Sequence, residues 1–154
     1  LNFAEVKLLI AAVLLSLLIL ILDQVSKHLV FLNLPYGESI VLWPGVLSLT
    51  HLHNFGAAFG LFAGQRWLFV LAVFITVAVL IKWRHDILRA GPLAVWSCAL
   101  LLGGALGNFL DRLRLGFVVD FIDLGFWPVF NVADSAIVVG ALSLAVVTIR
   151  AELQ

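Results

Sequence analysis

Charge is what this sequence has least of: only 12% of its 154 residues are Asp, Glu, Lys or Arg, about half of the ~25% carried by a soluble domain. A chain so poor in charge and 64% hydrophobic cannot cover itself with polar surface, so its solvent is lipid. Cysteine is nearly absent too. Cys98, the sole cysteine, lies in an apolar run; it excludes an intrachain disulfide, lacks the partners of a metal site, and reads as a small core residue. Nine Lys and Arg balance nine Asp and Glu, so no basic excess marks a nucleic-acid partner, and the few charges have to be read by position. The chain also lacks a Gly-rich phosphate loop and a His-Glu-x-x-His zinc motif.

Four apolar stretches are present: Leu8 to Leu22, Trp67 to Ile81, Pro92 to Leu110 and Val132 to Ile149. A bilayer core needs ~20 helical residues, so the shorter stretches must continue into mixed flanks such as Asp23-Gln24-Val25-Ser26-Lys27. The expected spans are residues 7–27, 66–83, 92–111 and 132–150, within one integral membrane domain over 1–154. Lys7 followed by an apolar run has the outline of a signal peptide, but no small-residue cleavage site follows, and the segment is expected to be a retained span. The segment Lys82 to Arg89 reads as a compact loop with three strong cations, which makes it cytoplasmic by the positive-inside rule and places both termini on the same side. On the opposite side, Ser39 to Asn54 is rich in Val, Leu and Thr around a Trp43-Pro44-Gly45 turn, and Val118 to Phe130 reads as a second extended piece. The fold class is therefore a mainly α membrane protein of four spanning helices with a small extracytoplasmic β-sheet.

On this topology Glu5, Asp86 and Glu152 lie inside, and Asp23, Glu38, Asp111, Asp120, Asp123 and Asp134 lie outside or at the outer membrane border. A charge at mid-helix costs about 2.5–3.5 kcal/mol on insertion scales, so acids at that depth face a bundle interior and mark function. Helical spacing puts Gly104, Asn108 and the Asp111-Arg112 pair along one face of the third span, where small residues admit a neighbouring helix. Asn131 and Asp134 have the spacing of an N-cap and a first-turn carboxylate, which has a purely structural reading. Asp120, returning across a loop with Gly125 and Pro128, offers a second carboxylate to the same place. Two carboxylates at one site cannot both ionise freely, and such a pair can act as acid and base on one water.

Other chemistries fit less well. His51 and His53 would share a strand face, but no third metal ligand accompanies them. Ser26 and Lys27 are adjacent on a helix and point roughly 100° apart, which argues against a serine–lysine dyad.

Five blocks, in order, resemble lipoprotein signal peptidase, also called signal peptidase II: Asp23-Gln24-Val25-Ser26-Lys27, His53-Asn54-Phe55-Gly56-Ala57-Ala58-Phe59-Gly60, Gly107-Asn108-Phe109-Leu110-Asp111-Arg112, Val118-Val119-Asp120-Phe121-Ile122-Asp123 and Phe130-Asn131-Val132-Ala133-Asp134-Ser135-Ala136. The resemblance implies an aspartic peptidase of the bacterial cytoplasmic (inner) membrane. Such an enzyme cuts before a cysteine that already carries diacylglycerol, with its active site at the outer face. It implies catalytic roles for Asp120 and Asp134 and a substrate site lined by Asn54, Asn108 and Arg112, with Asn131 beside the dyad. Asp23, Lys27 and Asp111 match family positions with an architectural role. Its partners would be the lipid-modified prolipoprotein and membrane lipid, with no metal or other cofactor and a monomeric state. A wall or flap over the substrate is expected around Asn54 to Gly60. The rival reading is an ion or proton carrier using Asp23, Asp111 and Asp134 as a relay. Against it, the cytoplasmic halves of the spans carry no charged residue to continue such a path.

Overall fold

The computed structural model describes residues 2–56 and 64–153. Its elements follow in the order α1 (Phe3–Asn33), β1 (Ser39–Trp43), β2 (Leu47–Asn54), α2 (Arg66–Lys82), α3 (Arg84–Arg89), α4 (Pro92–Arg114), β3 (Val118–Asp123) and α5 (Val132–Glu152). The expected flap runs into residues 57–63, which lie outside the described residues.

Helix α1 is longer at both ends than the expected 7–27. It starts early because Asn2 and Glu5 close a capping box: the Glu5 amide donates to Asn2 Oδ1 at 2.9 Å and the Asn2 amide to Glu5 Oε2 at 2.8 Å. It runs on past Lys27 because Asp23 and Lys27 fall with Ala12, Ser16 and Val30 on one buried stripe, so these two charges interrupt nothing on the lipid side. The opposite face exposes Leu14, Leu17, Leu18, Ile21 and Val25, a continuous apolar surface that water would not tolerate and acyl chains do. Helices α1, α4 and α5 are each long and apolar enough to cross a membrane. Helix α2, at 17 residues, rises about 26 Å against a hydrocarbon core of ~30 Å, so among the described residues three of the four expected spans meet that length. The segment expected as a cytoplasmic loop is in part helical: α3 forms because Ile87 and Leu88 pack against the cluster of Ala12, Val95 and Ala99.

Helix α4 sits between α1 and α5, and its small residues set the distance. A Cβ on Gly103 would lie 2.7 Å from the Ser16 carbonyl of α1, and one on Gly107 would lie 2.5 Å from Asp23 Oδ2. On the other flank a Cβ on Gly104 would collide with the Ala133 carbonyl of α5. Gly140 plays the same part from α5, where a Cβ would lie 2.7 Å from the Ser97 carbonyl of α4. Ser16 ties α1 to α4 by donating to the Ala99 carbonyl at 2.8 Å. In lipid, where apolar attraction between helices is weak, such close backbone contact and interhelical hydrogen bonding hold a bundle together.

The strands form one antiparallel sheet in the order β1-β2-β3. The Trp43-Pro44-Gly45 turn joins β1 to β2, with Gly45 at φ +72°, a conformation that favours glycine. In β2 and β3 the register pairs Leu52 with Asp120 and Asn54 with Val118, so Asn54 lies diagonally across from Asp120 on the same face. The chain leaving β3 turns at Gly125 and comes back to pair Phe130 with Ile122. Val30 of α1 and Leu34, which follows the helix, pack with Val119 and Phe121, seating the sheet on the end of α1. We expect Gly104→Ala to separate α4 from α5 and to lower stability by about 1–3 kcal/mol, read as a lower thermal unfolding midpoint in detergent. An unchanged midpoint would mean that the helices do not touch there.

Candidate active site

The pairing of Phe130 with Ile122 brings the start of α5 back to β3, and the next residue joins the two. Asn131, fully buried, caps α5: its Oδ1 accepts from the Asp134 amide at 2.8 Å, while its own amide donates to Asp134 Oδ2 at 3.3 Å. Its side-chain nitrogen then reaches back to β3 and donates to Asp120 Oδ1 at 2.7 Å. A single cap thus holds both carboxylates, and the structural reading of Asp134 and its place beside Asp120 are compatible.

The remaining carboxylate oxygens are also occupied. Asn54 Nδ2 donates to Asp120 Oδ2 at 2.9 Å, with its own oxygen held by the Gly56 amide at 2.9 Å. Asn108 Nδ2 donates to Asp134 Oδ1 at 2.7 Å. Neutral amides therefore surround the pair, and no cation touches either acid directly among the described hydrogen bonds. Asp120, only 3% exposed, is pushed up to about 6 by burial and then by the negative charge of Asp134, against the opposing hydrogen bonds from Asn54 and Asn131. Because this lies above its unfolded value, a proton on Asp120 stabilises the fold at acid pH, and that contribution is lost as the pH rises through about 6.

Behind Asn108 lies a second polar group. Lys27, 3% exposed, contacts Asp23 Oδ2 at 2.8 Å, Asp111 Oδ2 at 3.0 Å and Asn108 Oδ1 at 2.9 Å. Asp23 accepts from the Ala133 amide of α5 at 2.9 Å, and Asp111 from the Val119 amide of β3 at 3.2 Å. Gln24, to which the sequence alone assigns no role, donates to Asp111 Oδ1 at 2.9 Å and to the Gly107 carbonyl at 3.2 Å. Its place between Asp23 and Lys27 on the helix is the available signal.

Arg112, expected to line the substrate site, is turned toward the chain that follows Asn54. Its guanidinium donates to the Gly56 carbonyl at 2.8 Å and stacks over the Phe69 ring at 4.2 Å, instead of hydrogen-bonding a carboxylate. It thereby fastens the chain after Asn54 to α4 and α2. Ser26 Oγ donates to the Asp23 carbonyl at 2.9 Å, apart from the Lys27 ammonium. His51 and His53 meet through their Nε2 atoms at 3.2 Å, and His51 Nδ1 lies 2.7 Å from the Leu34 carbonyl. Burial, and then the charge of His51, holds His53 below the usual imidazole range. Among the described residues no three His, Cys, Asp or Glu side chains converge as metal ligands.

The arrangement can hold one proton on a carboxyl pair beside neutral donors. We expect an infrared titration to show the Asp120 carboxyl band, identified by its loss in Asp120→Asn, changing at about pH 6. Asn54→Ala removes a donor that favours the carboxylate and should move that change to higher pH. A band titrating near ~4, the ordinary Asp value, would contradict the burial and pairing of Asp120.

Comparison with known proteins identifies the family. The family model described as Signal peptidase (SPase) II matches residues 15–150. The lipoprotein signal peptidase of Syntrophomonas wolfei is 47% identical over 135 residues, covering 86% of this chain and 89% of that protein. That of Moorella thermoacetica is 48% identical over 132 residues, covering 85% and 87%. A solved bacterial membrane enzyme superposes with a TM-score of 0.85 at 31% identity, over 91% of this chain and 88% of that one. With the family model spanning most of the chain and the relatives matching nearly end to end, the protein belongs to the signal peptidase II family of membrane peptidases.

Proposed function

We propose that this chain is a membrane aspartic endopeptidase that removes signal peptides from diacylglyceryl-modified prolipoproteins, cutting before the lipidated cysteine. The observation that carries this reading is the clasp of Asp120 and Asp134 by one residue, Asn131, in a site otherwise lined by neutral amides. The proposed enzyme is a single membrane domain with four spans, α2 being the short one, and works as a monomer in the bacterial inner membrane. Both termini and the Lys82 to Arg89 segment are cytoplasmic, and the carboxylates lie at the outer face, where lipid-anchored substrate enters sideways and water arrives from outside.

In this mechanism Asp120, with its raised affinity for a proton, donates to the scissile carbonyl oxygen while ionised Asp134 takes a proton from the attacking water. The water oxygen bonds to the carbonyl carbon, giving a tetrahedral diol. Asp134 then passes its proton to the leaving nitrogen, Asp120 recovers one from a diol hydroxyl, and the C–N bond breaks. Substrate displaces water around Asp120 and strengthens its hold on the proton. Asn54, Asn108 and Asn131 orient the acids and border the substrate site. Arg112 borders it too, through the Gly56 backbone. Asp23, Lys27 and Asp111 form the supporting framework.

Incubation of the purified protein with a diacylglyceryl-modified prolipoprotein tests the activity, and the unmodified precursor should not be cut. Asp120→Asn and Asp134→Asn should each abolish most turnover, and the double change should cost little more, as for groups acting as one unit. Asp134→Asn keeps a side chain able to cap α5, so a folded variant with substantial turnover would reduce Asp134 to a cap. For topology, a label attached within Lys82 to Arg89 should be protected in right-side-out membranes. Free reaction there would invert the proposed orientation.

A further inference from the structure

Lys27 does not touch either carboxylate of the pair, and its sequence context points only to framework. We infer that it is a positioning residue: by saturating the oxygen of Asn108, it dictates which end of that amide meets Asp134. The inference rests on Asp120 and Asp134 being the catalytic pair.

The two ends of a carboxamide have nearly the same shape and opposite hydrogen-bonding character, so only neighbours decide which way it faces. At Asn108 the neighbours leave one solution. Oδ1 lies 2.9 Å from Lys27 Nζ and 3.3 Å from Asn131 Nδ2, both of which only donate. Nδ2 lies 2.7 Å from Asp134 Oδ1, which accepts when ionised. Turning the amide would set an NH2 group against an ammonium and a carbonyl against a carboxylate. The ammonium is fully occupied by this framework, because its three N–H groups go to Asp23, Asp111 and Asn108, leaving none for substrate. Without Lys27 the oxygen would keep only the long contact to Asn131, and the amide could present its carbonyl to a protonated Asp134. That state has no base for the water. Lys27 therefore selects the ionised form of Asp134 through Asn108.

The competing account is that Lys27 only neutralises Asp23 and Asp111. The two separate in the variant Asp23→Asn/Lys27→Met/Asp111→Asn, which removes the cation together with the acids that need it. If Lys27 positions Asn108, the folded variant loses about 100-fold in kcat, the scale expected for a misplaced catalytic group, with KM for the diacylglyceryl-modified prolipoprotein unchanged. Near-wild-type kcat overturns the inference. Should this variant fail to fold, Lys27→Arg decides: it keeps the charge between the acids, but its planar fork cannot send three donors in three directions. A comparable kcat loss at unchanged KM is expected, and wild-type kcat again overturns the proposal. In an Asn108→Leu background the Lys27 change should cost nothing further, since it acts through that amide; multiplying losses would show an independent role. Failure of the dyad reading would show separately, as turnover by Asp120→Asn or Asp134→Asn with Lys27 intact.

Discussion

The structure depends on the burial of Lys27 between three helices and a strand. An ammonium in a low-dielectric interior is tolerable only when its charge and all its donors are met, and here they are met by Asp23 on its own helix and by Asp111 and Asn108 on α4. Each acid then directs its remaining capacity to another element, Asp23 to the Ala133 amide of α5 and Asp111 to the Val119 amide of β3. One cation thereby fixes the relative positions of α1, α4, β3 and α5. The packing glycines are the steric counterpart, since Gly107 leaves the space that Asp23 occupies. Among the described residues no buried side-chain nitrogen or oxygen lacks a partner, as a polar network in an apolar surround requires.

This framework ends where the carboxylate pair begins. Asn108 belongs to both, with its oxygen toward Lys27 and its nitrogen toward Asp134. Asn131 makes the corresponding join between helix capping and the pair. Amides suit these positions because they donate to a carboxylate without adding a charge that would pull both acids into ionised form. Asp120 can then keep its raised value of about 6, which a directly paired arginine would depress. The direction taken by Arg112, toward the Gly56 carbonyl and the Phe69 ring, is consistent with that requirement.

Much of this is legible from residue order. Apolar runs locate the helices, and the Trp43-Pro44-Gly45 signal gives the hairpin. The spacing of Asn131 and Asp134 gives the capping box of α5. The sequence places the ends of α1 short because polarity alone marks a boundary with water, whereas Asp23 and Lys27 are polar residues facing protein. The helical turn at Arg84–Arg89 is hidden because its cations dominate the pattern and its apolar pair, Ile87 and Leu88, is brief. For Arg112 the sequence supplies a donor and a helix face. Its target is a backbone carbonyl beyond the end of β2, which no spacing along α4 encodes. Gln24 escapes assignment for a related reason: its role depends on Asp111, far along the chain, coming within 2.9 Å.

The i,i+4 placement of Asp23 and Lys27 also bears on how the chain enters the bilayer. Helix α1 is synthesised before α4, and so before Asp111 and Asn108 exist to receive the ammonium. Their 2.8 Å contact within one helix lets α1 partition as an electrically neutral rod, with opposite charges cancelling one turn apart. When α4 arrives, the same ammonium still has two donors to offer, and Asp111 and Asn108 take them up. The carboxylate pair is completed only when α5 brings Asp134 to Asp120. Until then Asn131 has only one of its two acids to clasp, and the site the folded chain displays is not yet assembled.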